Sequence, residues 1–162
     1  MEQPKNFWRI KMYPAGDTDG NQHTAWILEQ KGVIGLGEWD KGQAQIHAFF
    51  NELQVGDIVC VVIGDKPLAL TQVTDLAYQM PNERQTDYCI VKNETDERLK
   101  WLVNRCPVKI LDWNVSENLP TLDQYRSSSL VRMADFTKQS NEVVVEWFEK
   151  LKISYKKRGL ID

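Results

Sequence analysis

Histidine is nearly absent from this chain: of 162 residues only His23 and His47 carry an imidazole, and neither sits in an HxH or HExxH pattern. The usual zinc-hydrolase signatures and most histidine-based catalytic pairings are therefore missing. Cysteine is also scarce, and Cys60, Cys89 and Cys106 are odd in number, far apart and without a CxxC pair. Reduced, mostly buried thiols fit that pattern better than a disulfide framework or a zinc site. No apolar run approaches the ~20 residues that cross a bilayer. The opening "MEQPKNFWRI" has neither the basic start nor the apolar stretch of a signal peptide. The expected location is cytoplasmic, with no membrane partner. Excess positive charge is lacking too, because the formal net charge is −3, so any polyanion must be met by a local basic patch.

Phosphate-loop and nucleophile motifs are equally hard to find. "GVIGLG" (Gly32 to Gly37) has its glycines in the wrong order for GxGxxG, and no GK[ST] follows. "RSSSL" (Arg126 to Leu130) contains serines without a GxSxG elbow. Acids are plentiful but scattered. A binding module without catalytic residue, metal or cofactor is the leading expectation. A small hydrolase using Asp57, Asp65 or Glu38 as acid or base is the alternative from another class, and an aromatic-rich protein-interaction domain is a third.

What is present begins with size and composition: 162 residues, 42% hydrophobic and 27% charged, describe one globular domain with a real core. "FWRIKMY" (Phe7 to Tyr13) alternates, with Trp8, Ile10 and Met12 on one side, and predicts a strand. "PAGDTDGNQ" predicts a loop, which places His23 in a polar loop; "TAWILEQ" fits a strand or a short helix, and "GVIGL" a strand thinned by glycine. In "DKGQAQIHAFFNELQVGD" the apolar residues Ile46, Phe49, Phe50 and Leu53 recur at helical spacing. Asp40 and Gln43 form a candidate capping box for that helix, and Gly56 suits the left-handed position beyond its end.

"DIVCVVIGDKPLALTQVTD" predicts a hairpin turning at Gly64 to Pro67, its first strand apolar enough to be covered on both faces. "TDYCIV" (Thr86 to Val91) and "VKILDW" (Val108 to Trp113) predict further strands, with "NETDERLK" a turn or loop between them. "NEVVVEWFEKL" predicts a terminal helix capped by Ser140 or Asn141. Many consecutive strands, with a helix in the first third and another at the end, argue for an α+β fold on a curved or closed, largely antiparallel sheet.

Six tryptophans, Trp8, Trp26, Trp39, Trp101, Trp113 and Trp147, exceed what packing alone asks of this length. Trp8, Trp113 and Trp147 sit on apolar faces and are expected in the core. The order of signals resembles the PUA-like superfamily, and within it the EVE and YTH-type domains. The residues that carry the resemblance are the tryptophan-bearing first strand, the glycine-flanked "GVIGLGEW", the helix closed by "LQVGDIVCVV", the return strand "LALTQVTD" and the later "RLKWLVNRCPVKILDW". Together they span roughly residues 7 to 115.

The resemblance implies a small mixed β-barrel with flanking helices, forming a single domain over residues 1–162 with 119–162 as a helical extension packed on it. It also implies a reader of a methylated or hydroxymethylated base in DNA, flipped into an aromatic pocket. Such a reader would be the specificity element of a modification-dependent restriction system, with any nuclease or motor on another domain or chain. An RNA-binding role on the same fold is the second implication. An extruded base loses its stacking neighbours, and aromatic faces replace them at about 1–3 kcal/mol per base.

By position Trp26 matches the family's first cage tryptophan, and Trp39 is the second candidate wall. Gly35 and Gly37 would let a base lie against the main chain, and Asp40 would accept from its exocyclic amino group. Each has a plainer reading: Trp39 as a staple at the helix start, Asp40 as a cap only, Trp26 as core. Trp101, beside Lys100 and Arg105, is the alternative stacking residue. Arg9, Lys11, Arg98, Lys100, Arg105 and Lys109 are the candidate contacts to the nucleic-acid backbone, the last four as a cluster. 5-Methylcytosine, its hydroxymethyl form and N6-methyladenine all suit a pocket of two indoles.

Overall fold

The structure is a computed structural model that describes residues 3–12, 20–82, 94–115, 118–122, 129–135 and 138–162. Its elements run β1 (Phe7–Lys11), α1 (Gly20–Lys31), β2 (Val33–Leu36), α2 (Gln43–Asn51), β3 (Ile58–Ile63), β4 (Lys66–Val73), β5 (Tyr78–Gln79), β6 (Asn104–Trp113), β7 (Leu130–Arg132) and α3 (Lys138–Lys157). Short 3-10 turns at Asp40–Gly42, Glu97–Leu99 and Met133–Asp135 punctuate them. The predicted strand over Thr86 to Val91, with Cys89 in it, and most of the loop before α1 lie outside the described residues.

The strands form one curled, half-barrel mixed sheet in the order β2-β6-β4-β3-β1-β7, with β5 also on β6. The α+β fold with a small curved sheet and flanking helices is as expected. β1 runs parallel to β3, and every other pairing is antiparallel. Irregularities at Val61/Val62 and Leu70/Thr71 shift the register of the long strands, and such bulges sharpen local twist and help a sheet curl.

Both faces of this sheet are covered, and the alternation along each strand decides which residue meets which cover. Trp8 and Ile10 of β1, Val59 and Val61 of β3, and Val108 of β6 join one cluster with Ile27 and Leu28 of α1 and Ile46 and Phe49 of α2. Their neighbours Ile58, Cys60 and Val62 join a second cluster with Val144, Trp147 and Phe148 of α3. β3 is thus apolar at consecutive positions because it is central, as its composition predicts. The β3-β4 hairpin turns at Gly64, whose φ of +63° favours a residue without a β-carbon.

One open local expectation is settled and several others change. "TAWILEQ" is helical: Thr24, Ile27 and Leu28 are buried at i, i+3 and i+4, and Thr24 Oγ1 donates to the Met12 carbonyl at 2.9 Å. His23 consequently sits on α1 and not in a loop. Asp40 opens a 3-10 turn ahead of α2, and neither that turn nor α2 has a side-chain cap bond; Gly42 is the N-cap residue of α2. Gly56 does take a positive φ, +93°, but five residues past the last helical residue, in the turn into β3. α3 starts at Lys138, so Ser140 is a buried residue inside its first turn and does not stand at the N-cap position.

The C-terminal region contributes a strand as well as a helix. β7 pairs with β1, and Gln45 Oε1 of α2 accepts from the Ser129 and Leu130 amides at 2.7 and 2.9 Å, fixing where that strand starts. Trp147 Nε1 donates to Asp112 at 2.8 Å and Tyr155 Oη to the Leu111 carbonyl at 2.8 Å, tying α3 to β6. Burial pushes the thiols of Cys60 and Cys106 up to about 12, which leaves both as inert packing groups. Among the described residues no helix is long and apolar enough to cross a membrane.

Candidate functional site

β2 ends in Leu36, and the chain then runs Gly37, Glu38, Trp39 before turning into α2. Two sets of side chains collect around this segment, one polar and one aromatic.

The polar set is built on Glu38. Its Oε1 accepts from Asn104 Nδ2 at 3.2 Å and from Gln79 Nε2 at 3.5 Å, and its Oε2 from Gln43 Nε2 at 3.2 Å. Asn104 and Gln79 are fully buried at the paired ends of β6 and β5. Gln79 Nε2 also donates to Asn104 Oδ1 at 2.8 Å, and Asn104 Nδ2 to the Gly37 carbonyl at 3.0 Å. Gln43 completes the ring by donating to the Trp39 carbonyl at 3.0 Å. Buried amides are costly unless paired, and here each donates to a defined acceptor, which holds the carboxylate in one orientation.

The aromatic set is His23 and Trp26 of α1 with Trp101. His23 stacks near Trp26 at 6.1 Å between centroids and lies 6.0 Å from Trp101. Trp101 Nε1 donates to His23 Nε2 at 3.1 Å. An indole N–H can only donate, so Nε2 is the bare nitrogen and the ring proton sits on Nδ1. The Arg98 guanidinium lies 3.9 Å over the Trp26 ring and forms a fork with Asp96 at 3.1 and 2.8 Å. That fork holds the Asp96 carboxyl down at about 2.

The two sets meet along the chain at Gly37 and Glu38. A β-carbon on Gly37 would stand 3.3 Å from the Trp101 carbonyl and 3.7 Å from its ring, so Trp101 packs directly on this glycine. Trp39, half-buried, lies over Gly42: a β-carbon there would stand 1.9 Å from its indole. Gly35 faces inward, where a β-carbon would be 2.4 Å from the Asn104 carbonyl oxygen. Its lack of a side chain is demanded by β6, not by a ligand. Asp40 is exposed in the 3-10 turn.

The predicted backbone contacts divide sharply. Arg9 is fully buried and pairs with Asp65 at 3.1 Å, and Lys11 reaches the same carboxylate at 3.5 Å. Both alternate with Trp8 and Ile10, so they lie on the α3 side of β1, away from the inner cluster that Trp26 and Trp39 pack against. Arg105 is buried as well, donating to the carbonyls of Leu102 and Leu99 at 2.7 and 2.9 Å and to Glu94 at 2.9 Å. The Asp96 amide and then Arg105 hold the Glu94 carboxyl below the usual range. Arg98, Lys100 and Lys109 are exposed, Lys100 pairing with Glu97. A concavity of about 460 Å³ is lined by Met80, Pro81, Glu94, Thr95, Lys100 and Arg105, and by no member of the polar set. Neither Trp26 nor Trp39 lines it.

Two of the three acids nominated for hydrolysis, Asp57 and Asp65, are engaged elsewhere, while Glu38 is the centre of the polar set. Asp57 is fully buried and accepts from Trp8 Nε1 at 3.0 Å and from the Asn6 and Gln54 amides at 3.1 and 3.0 Å. Asp65 belongs to the Arg9 and Lys11 pairs. Among the described residues no group of three or more His, Cys, Asp or Glu side chains forms a metal site. Sequence reasoning missed the roles of His23, Gln43, Gln79 and Asn104. A carboxamide in an apolar strand context, as at Gln79 and Asn104, was the available signal.

Fold and site together describe an α+β protein whose curled mixed sheet carries a carboxamide-held glutamate among half-buried indoles. No family model matches the chain, and no curated protein matches it. An X-ray structure of a protein from Pseudomonas putida is similar at 16% identity and a TM-score of 0.45, covering 90% of this chain and 98% of that one. A hypothetical protein from Leishmania major is similar at 14% identity and a TM-score of 0.44, covering 91% and 96%.

Proposed function

We propose that this chain is a non-enzymatic binding module of the PUA-like, EVE or YTH type that reads a modified base in DNA. The observation that carries the reading is the segment Gly37-Glu38-Trp39. Along the chain it sets a fixed hydrogen-bonding group next to two half-buried indoles, Trp101 packed on Gly37 and Trp39 packed on Gly42. A flipped base needs flat apolar faces and a directional polar edge, and this segment offers both. Trp26 joins as a further wall when Arg98 swings aside. An exposed cation over an indole is worth about 0.5–1 kcal/mol, while a stacked base gains about 1–3 kcal/mol, so the exchange favours the base. The nuclease or motor that such a reader serves belongs to another domain or chain.

Tryptophan fluorescence titrations with oligonucleotides carrying one unmodified, 5-methylated, 5-hydroxymethylated or N6-methylated base test the reading. One modified form is expected to bind several-fold more tightly, and Trp39→Ala to abolish that preference while the circular dichroism spectrum stays native. Equal binding of all four forms refutes it. An RNA strand that outcompetes DNA of the same thymine-free sequence moves the function to RNA, since the 2′-hydroxyl is then the only covalent difference.

A further inference from the structure

The pocket reading of the sequence nominates Asp40 as the acceptor for an exocyclic amino group; the fold adds a second acid two residues earlier, Glu38, held by buried carboxamides. Its Oε1 is saturated by two amide donors, Asn104 Nδ2 and Gln79 Nε2, whose side chains are fully buried. Its Oε2 takes the exposed Gln43 amide. A carboxylate oxygen accepts two hydrogen bonds, so Oε2 keeps an acceptor position on the solvent side of the network.

We infer that Glu38 selects the base, and that the ligand is a nucleobase whose reading edge carries an exocyclic amino group, as in a cytosine or adenine derivative, and not the keto group of thymine or uracil. The inference rests on the base-reading function proposed above and names its substrate class. An ionised carboxylate only accepts, so it bonds an amino N–H and repels a keto oxygen placed at the same point. Because buried amides fix Oε1, the side chain cannot turn to relieve that repulsion, and rigidity is what converts a preference into discrimination.

The same network dictates what an isosteric change does. In Glu38→Gln the amide must turn its oxygen toward Asn104 Nδ2 and Gln79 Nε2, because those two groups donate there. Its NH2 then occupies the Oε2 position, the exposed Gln43 turns its own amide oxygen to meet one of the N–H groups, and the other donates outward. The variant should favour the keto edge, so the preference reverses instead of merely fading.

The test uses 5-methylcytosine against thymine, which share a ring and a 5-methyl group and differ only at the reading edge. Each is placed as a single mismatched base in one duplex and titrated against the wild-type chain and Glu38→Gln. Adenine against hypoxanthine forms a second matched pair, amino against keto. In at least one pair the wild type should bind the amino base at least about tenfold more tightly, and Glu38→Gln should bind the keto base of that pair better. Wild-type affinities equal within about twofold in both pairs, or favouring keto, overturn the inference. So does a Glu38→Gln protein that keeps the wild-type order. Binding of neither member of either pair sinks the base-reading function itself, and this inference with it. Should the variant fail to fold, the wild-type comparison decides alone.

Discussion

Gly42→Ala isolates the seat of Trp39 from every other feature of the site. Gly42 has φ −100° and ψ 5°, a conformation that alanine adopts without strain. The nearest conflict is with the ring, since the new β-carbon would stand 1.9, 2.2 and 2.3 Å from Trp39 Cε2, Cζ2 and Cδ2. Ordinary contact begins at 3.4 Å, so the indole must retreat by 3.4 − 1.9 = 1.5 Å. A tryptophan buries roughly 150–250 Å² in a well-packed setting. Losing about half of that at about 25 cal/mol per Å² costs roughly 2 kcal/mol. In a chain of this size that lowers the melting temperature by about 4–8 °C. Urea unfolding followed by circular dichroism measures the loss, and a difference emission spectrum against Trp39→Phe should show Trp39 shifted to the red. The same substitution in a Trp39→Ala background should be nearly neutral, because the clash has lost its partner. A single variant within about 0.5 kcal/mol of wild type, with Trp39 emission unchanged, refutes the packing argument.

Two further expectations follow from buried and paired carboxylates. Asp57→Asn turns one acceptor oxygen into an NH2 facing N–H groups of Asn6, or of Trp8 and Gln54, whichever way the amide lies; it should cost about 1–3 kcal/mol of stability in urea titrations. A variant as stable as wild type would mean that Asp57 is not the anchor of β1, and would reopen its candidacy as a reactive acid. The Asp96 carboxyl, held at about 2 against an ordinary 3.8 by Arg98, is depressed in the folded state. Its contribution is therefore present above pH ~4 and lost as pH falls toward 2. The Arg98 cover on Trp26 should thus survive at pH 5, and carboxyl NMR showing Asp96 titrating near 4 would contradict the fork.

Patterns of short range along the chain are legible in residue order. β1 alternates because one face meets α1 and α2 while the other meets α3, and β3 is apolar throughout because both of its faces are covered. α2 and α3 announce themselves through Ile46, Phe49 and Val144, Trp147, Phe148, whose spacing matches the helical turn. α1 is ambiguous in sequence because its buried stripe is short, Thr24, Ile27 and Leu28, and begins with a polar residue. β7 leaves no readable pattern because three residues carry too little periodicity, and their strand character comes from β1 alongside.

By itself, then, the chain determined the helices α2 and α3 and most of the longer strands, that the sheet is curved and largely antiparallel, that β3 is covered on both faces, and that "GVIGLGEW" is a place where glycine lets something flat approach the backbone. Those properties depend on neighbours a few residues away, whose spacing is printed in the sequence. Only the tertiary structure decided that Gly35 makes room for β6, that Gly42 and Gly37 make room for Trp39 and Trp101, and that Glu38 is held by buried carboxamides. It alone placed Arg9 and Arg105 in the interior. Each of these turns on a partner far away in the chain, such as Asn104 for Glu38 or Asp65 for Arg9, and hydrogen-bond and ion-pair partners are chosen by folded distance, which residue order does not encode.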